Sequence, residues 1–313
     1  MSSFILAGSG SRYLAEGIAR VSGLDILENR VVRFANSEMK ITLPKGVSKF
    51  DKCYLVQTAS NPTNDSLIEI LFTSDTLKLE GVKNIEVIIP YFGYSRQDKQ
   101  HLPRECVSAE IMAKLLKSVG VQKVYTADIH NEKVLENLAI PVLNYSVIPE
   151  IAVQVYNDLN LNTELESSFT IASPDQGGIG RANLFTKHFY RQQSNQEVVS
   201  IKKERELDKQ HISKAVELYG EIKDKNVIIV DDVSTSGNTL LNALELCEIN
   251  GVSNVYAVVI HSDFAREVPE KITHSNLKKI YTTNTIEKTL DNLGYYRKIK
   301  ILDVSRVFKL DRN

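Results

Sequence analysis

The sequence predicts an α/β protein built as two tandem domains with mainly parallel sheets. Short Val- and Ile-rich runs alternate with helical patterns along all 313 residues, the ordering expected of βα units. The apolar runs are continuous, as in strands covered on both faces. A faint internal repeat completes the case. Gly120-Val-Gln-Lys-Val-Tyr-Thr-Ala-Asp-Ile-His130 aligns with Gly251-Val-Ser-Asn-Val-Tyr-Ala-Val-Val-Ile-His261 at an offset of 131 residues, about one domain length. Helix–Gly–Val–strand is also how αβ units generally end, and Gly81-Val-Lys-Asn-Ile does the same. The tandem reading is preferred, with halves 1–145 and 146–313.

In chain order, strands are expected at residues 54–58 and 85–90. Ile111, Met112, Leu115 and Leu116 then make a helical stripe, which Gly120 closes as a left-handed residue past the helix end. Strands follow at 124–129, 169–173 and 227–230. Leu240, Leu244 and Cys247 repeat the helical spacing up to Gly251, and a last strand is expected at 255–260.

Composition excludes several classes. Thirty-eight basic and 39 acidic side chains leave a net charge of −1, so no basic field favours nucleic acid or an anionic membrane. The longest apolar runs fall far short of the ~20 residues of a membrane span. The N-terminal residues lack the basic n-region of a signal peptide. Cys53, Cys106 and Cys247 form no CxxC pair, which argues against a disulfide framework or zinc site and fits a reduced cytoplasm. There is no GxxxxGK[ST], HRD, DFG or GxSxG motif. Gly8-Ser-Gly10 carries Tyr13 where a dinucleotide fingerprint has its third glycine.

Five constellations could carry chemistry. Asp231-Asp232-Val-Ser234-Thr235-Ser236-Gly237-Asn238-Thr239 follows a buried strand and opens a helix. Such a loop offers N–H groups and a helix dipole to phosphate, hydroxyl donors beside it, and paired carboxylates for a sugar diol. An ordinary N-cap run has a similar composition, but paired Asp at the end of a parallel strand lie where α/β ligands bind. Tyr91-Phe-Gly93-Tyr-Ser-Arg96-Gln97-Asp98-Lys99 mixes aromatics with cations suited to a polyphosphate. Asp128-Ile-His130 places two side chains on one face of an extended chain, where a divalent ion with phosphate would fit. Asp175-Gln-Gly177-Gly178-Ile-Gly180-Arg181 suggests close backbone approach to a ligand, or an ordinary strand–helix loop. Residues 201–211, Ile-Lys-Lys-Glu-Arg-Glu-Leu-Asp-Lys-Gln-His, read as solvated surface or as a mobile cationic loop.

Together with Phe34-Ala-Asn-Ser-Glu38, Pro62-Thr-Asn-Asp65, Pro103-Arg-Glu-Cys106 and Ser173-Pro-Asp175, these motifs resemble the ribose-phosphate pyrophosphokinase (PRPP synthetase) family over nearly the whole chain. The resemblance implies two type I phosphoribosyltransferase-like domains. It also implies transfer of the β,γ-diphosphoryl group of ATP to the C1 hydroxyl of ribose 5-phosphate, with Mg2+, in a homo-oligomer with shared active sites. By motif, Asp231, Asp232, Thr235, Ser236, Gly237, Asn238 and Thr239 match the ribose 5-phosphate site. Phe34, Glu38, Arg96, Gln97 and Lys99 match ATP contacts, Phe34 and Glu38 being supplied by a neighbouring subunit. His130 and Asp175 match the metal site, and Lys203 and Arg205 the cations of a flexible catalytic loop.

The chain departs from the family pattern at Thr235, Ser236 and Asn238, where the family often has Asp, Thr and Gly. Asn36 and Ser37 stand where it has Asp-Gly, and Lys99 where it often has Arg. A non-catalytic regulatory subunit of such an enzyme is the alternative reading. Retention of His130, Asp175, Lys203 and Arg205 favours the enzyme. A base-specific phosphoribosyltransferase would leave the Arg96-Gln97-Asp98 loop unexplained.

Overall fold

The apolar runs form the parallel strands of two sheets, and helices cover them. The computed structural model describes all residues except 1, 101, 162–164, 166–167, 192–195, 206–212, 221, 223–225, 288–296 and 311–313. The chain divides into two units: Met1–Ser146 with Asn284–Lys288 and Asp303–Asn313, and Val147–Thr283 with Thr289–Leu302.

The first unit contains β1 (Ser3–Ala7), α1 (Arg12–Ser22), β2 (Asp25–Glu28), β3 (Arg30–Arg33), β4 (Met39–Thr42) and β5 (Lys52–Val56). It continues with α2 (Thr63–Leu79), β6 (Asn84–Ile88), α3 (Ser108–Ser118), β7 (Val121–Ala127) and β8 (Val142–Tyr145). Its sheet runs β2-β1-β5-β6-β7-β8, all parallel, while β3 and β4 pair separately as an antiparallel hairpin. One sheet face packs Phe4, Leu6, Leu55, Val87 and Val124 against Leu67, Ile70, Met112 and Leu116 of the helices. Each such side chain removed from water contributes about 2 kcal/mol.

The second unit contains α4 (Ile148–Asp158), β9 (Phe169–Ser173), α5 (Ile179–Phe189), β10 (Val199–Arg205) and β11 (Ser213–Tyr219). It continues with β12 (Asn226–Ser234), α6 (Asn238–Ile249), β13 (Asn254–Ser262), α7 (Val268–His274), β14 (Lys279–Thr283) and β15 (Ile299–Leu302). The sheet order is β11-β10-β9-β12-β13-β14-β15, with only β11 antiparallel to its neighbour. Val227, Ile229, Val255, Ala257 and Ile280 pack on Leu240, Leu244, Cys247 and Ile272.

Counting each unit's parallel strands in chain order, both sheets read second-first-third-fourth-fifth-sixth. The shared topology agrees with tandem domains of one fold, but not on the ground of the 131-residue repeat. β7 is the fifth strand of its sheet and β13 the fourth of its own. The repeat therefore records how an αβ unit ends. Gly120 (φ 93°) and Gly251 (φ 82°) both take the left-handed conformation expected past α3 and α6.

Three expectations change. The strand at 227–230 extends to Ser234, because parallel pairing with β13 continues through Asp231 and Val233. Residues 201–205 of the expected cationic loop are strand, drawn into β10 by pairing with β11 (Lys203 opposite Ala215, Arg205 opposite Ser213). The rest of that loop, 206–211, lies outside the described residues. Third, the residues after 145 do not all belong to the second unit. Phe308 is buried and meets Tyr145 edge-on at 5.9 Å, and Leu310 donates its N–H to Ser22 Oγ at 2.9 Å. Such long-range packing leaves no mark in local sequence pattern.

Candidate active site

In sheets of this topology ligands bind at the carboxyl ends of the strands where the order reverses, here beyond β9 and β12 in the second unit. Asp231 and Asp232 lie in the C-terminal half of β12 and point to opposite faces of the sheet. Asp231 Oδ1 accepts the Asp232 N–H, and Asp232 Oδ1 accepts the Val233 N–H, both at 2.9 Å. Arg181 Nη2 lies 3.0 Å from Asp232 Oδ2. Burial, followed by the neighbouring Asp232 charge, pushes the Asp231 carboxyl well above the usual carboxylate range.

Thr235 and Ser236 are exposed on the loop that follows, and at the start of α6 Asn238 is exposed and Thr239 half-buried. Gly237 caps this helix at φ 73°, and a Cβ there would meet Val268 Cγ1 at 2.9 Å. The loop is also tied down where Ala265 donates its N–H to the Thr235 carbonyl at 2.8 Å. Within the turn Asn238 donates its N–H to Ser236 Oγ at 3.4 Å, and hydroxyls at a helix start are of the kind that suits an anion. Asp175 follows β9, and its Oδ1 accepts the Gly178 N–H at 2.9 Å.

In the first unit, Phe34 and Glu38 close the β3–β4 hairpin, with Phe34 N–H donating to the Glu38 carbonyl at 2.9 Å. Phe34 is 51% exposed, leaving its ring free to stack. Arg33 anchors the hairpin to Asp65 of α2 at 2.5 Å. Arg96 and Lys99 are exposed, whereas Gln97 is half-buried and accepts the Ser108 hydroxyl at 3.2 Å. Tyr94 donates its hydroxyl to Asn64, and Asn131, next to His130, donates its amide to Asp98. The structure thereby joins the Arg96–Lys99 loop to the His130 loop. Asn144 supports the latter by accepting the Ile129 N–H at 3.0 Å.

Ser37, Tyr94, Arg104 and Asp128 all have positive φ (71°, 68°, 75° and 37°). Non-glycine residues held there cost roughly 1 kcal/mol each and gather where a ligand dictates the backbone. The described residues contain no group of three or more His, Cys, Asp or Glu arranged to hold a metal.

Comparison with known proteins identifies the family. Residues 3–120 match the N-terminal domain of ribose phosphate pyrophosphokinase, and residues 142–292 the phosphoribosyl transferase domain. A ribose-phosphate pyrophosphokinase of Rhizobium meliloti is 31% identical, covering 91% of this chain and 88% of that protein. Another, from Wolinella succinogenes, is 33% identical over 97% of this chain and 93% of its own length. The chain belongs to the ribose-phosphate pyrophosphokinase family. Its fold is that of the Mycobacterium smegmatis phosphoribosylpyrophosphate synthetase, with a TM-score of 0.82, 22% identity and coverage of 98% and 96%.

Within this pyrophosphokinase fold, the sequence placed Arg181 and Tyr94 inside candidate motifs without a role of their own, and gave none to Asn131 or Asn144. Arg181 had a visible signal. It is the third residue of α5, and a cation at the positive end of a helix is unfavourable without a carboxylate partner.

Proposed function

We propose that the chain is a ribose-phosphate diphosphokinase, converting ATP and ribose 5-phosphate to PRPP and AMP. The observation that carries this is the end of β12 with its two carboxylates, followed by exposed hydroxyls and a helix start, at the strand-order reversal. The second unit holds the acceptor. Its loop N–H groups and Ser236 and Thr239 hydroxyls take the 5-phosphate, and Asp231 and Asp232 orient the sugar hydroxyls. The first unit holds the nucleotide through Arg96, Gln97 and Lys99. The C1 hydroxyl oxygen bonds to the β-phosphorus as the bond from that phosphorus to the oxygen of departing AMP breaks, and the hydroxyl proton is released to solvent. In-line positioning and charge neutralisation supply the rate, with Lys203 and Arg205 meeting the phosphates as charge shifts.

Asp175 and His130 would contribute to a Mg2+ site. One half-exposed carboxylate and one exposed imidazole fit an ion held largely by substrate phosphates and water, as Mg2+ usually is. The ion would neutralise polyphosphate charge. The working form is a cytoplasmic homo-oligomer in which Phe34 and Glu38 serve a neighbouring subunit's nucleotide. Among the described residues no helix is long and apolar enough to cross a membrane.

Family membership draws no distinction in favour of a regulatory subunit, since the matched relatives carry the pyrophosphokinase name itself. A coupled AMP-release assay with ATP, Mg2+ and ribose 5-phosphate tests the proposal. Release that depends on all three is expected, and its absence from the purified protein would overturn the catalytic reading.

A further inference from the structure

Asp231 and Asp232 are adjacent in sequence but differ in what surrounds them. Asp231 shares its sheet face with Val227 and Ile229, which pack towards α6. Asp232 shares the opposite face with Val230 and is buried. Arg181, reaching from the first turn of α5, pairs directly with Asp232, the two side chains being 14% and 7% exposed, and its charge is also felt by Asp231. The backbone makes room for this approach. A Cβ on Gly178 would lie 2.6 Å from Ser173 Oγ and 3.6 Å from Arg181 Nη1. Gly178 has an ordinary φ of −85°, so space and not backbone conformation is what glycine provides there.

The consequence for Asp232 is a fixed carboxylate plane. Oδ1 accepts the Val233 N–H at 2.9 Å and Oδ2 faces the guanidinium at 3.0 Å. A carboxylate held at both oxygens presents its remaining lone pairs in set directions, whereas one held at a single oxygen keeps rotational freedom about its side-chain bonds. Arg181 itself stands where the helix dipole disfavours a cation, so the local electrostatics of α5 do not account for it. The pairing does.

We propose that Arg181 is a positioning residue for the sugar: its guanidinium fixes the Asp232 carboxylate, and through it governs the affinity for ribose 5-phosphate. This rests on the assignment of ribose 5-phosphate to the β12–α6 loop. Arg181 has no role of its own towards the diphosphoryl group.

A double-mutant cycle tests it, using Arg181→Met, Asp232→Asn and the pair, with thermal melts alongside. Arg181→Met should raise the KM for ribose 5-phosphate about tenfold or more, as for loss of a charged hydrogen bond, and leave the KM for ATP near its starting value. Once Asp232 is Asn, adding Arg181→Met should have little further effect. Arg181→Lys should recover most of the affinity because it keeps the charge.

Where Arg181→Met does not fold, Arg181→Gln with and without Asp232→Asn reads the same cycle. An undiminished effect of Arg181 substitution in the Asp232→Asn background would overturn the proposal, pointing to direct contact with substrate. So would equal losses for both substrates, or an unchanged KM. Calorimetric binding of ribose 5-phosphate without ATP separates this from the enzymatic assignment. A protein that releases no AMP can still show the cycle in binding, whereas one that binds no ribose 5-phosphate removes the sugar-site assignment itself.

Discussion

At the scale of single residues, binding and rate should separate. Lys203→Ala and Arg205→Ala are expected to lower kcat by about two to three orders of magnitude with little change in ribose 5-phosphate binding, because their contacts strengthen in the transition state. Asp231→Ala should mainly raise the KM for ribose 5-phosphate, since its partners are ground-state hydroxyls. Steady-state kinetics on the three variants decides the point, and near-normal kcat in both cation variants would remove them from the chemistry. Gly237→Ala gives a structural counterpart. The new methyl must tolerate φ 73° and a 2.9 Å approach to Val268, so about 1–2 kcal/mol of stability should be lost and ribose 5-phosphate bound more weakly. Thermal melts and KM values check both parts. Asp231, Asp232 and Gly237 were legible because strand, carboxylates and helix start are contiguous in sequence. Arg181 was not assigned, because its partner lies some fifty residues away on another element.

Among elements, the start of α1 carries an unusual cap. Tyr13 and Leu14 donate their N–H groups to the two carboxylate oxygens of Glu287, at 2.9 and 2.5 Å, and Glu287 is only 6% exposed. Burial raises its carboxyl to about 7, against the lowering effect of those N–H groups. The sign follows from linkage: a carboxyl with a raised folded pKa favours folding at low pH, and that contribution is lost as pH rises from about 4.5 through 7. The effect is of order 3 kcal/mol. Melting temperature should therefore decline over this interval, and Glu287→Gln should flatten the decline. An identical pH profile in the variant would exclude Glu287 as its source. Elements with continuous Val/Ile runs or Gly-terminated helical stripes were readable in advance. β10 and β11 were not, because charged residues fill a hairpin whose strand character comes from pairing.

For the whole molecule, the expected assembly is a homo-oligomer that completes its nucleotide sites with Phe34. Phe34→Ala should raise the KM for ATP several-fold without altering ribose 5-phosphate affinity, as loss of ring stacking costs about 1–3 kcal/mol. A fully active monomer in sedimentation would refute the shared site. The two-domain plan was visible in the alternation of strands and helices, but the path of the chain was not. The last stretch, 303–313, is grouped with the first unit, where Val304, Phe308 and Leu310 are buried. Synthesis on the ribosome runs in the opposite sense to that architecture. The nascent first unit emerges with its sheet complete but lacks Glu287 at α1 and Phe308 beside Tyr145 until β9 to β14 of the second unit have been synthesised. Its folding therefore has to wait for, or be revised by, residues that follow almost the whole of the second unit. Removing residues 303–313 should expose apolar surface worth several kcal/mol, at about 2 kcal/mol per buried side chain, and yield a chain that aggregates on expression although every strand of both sheets is still encoded.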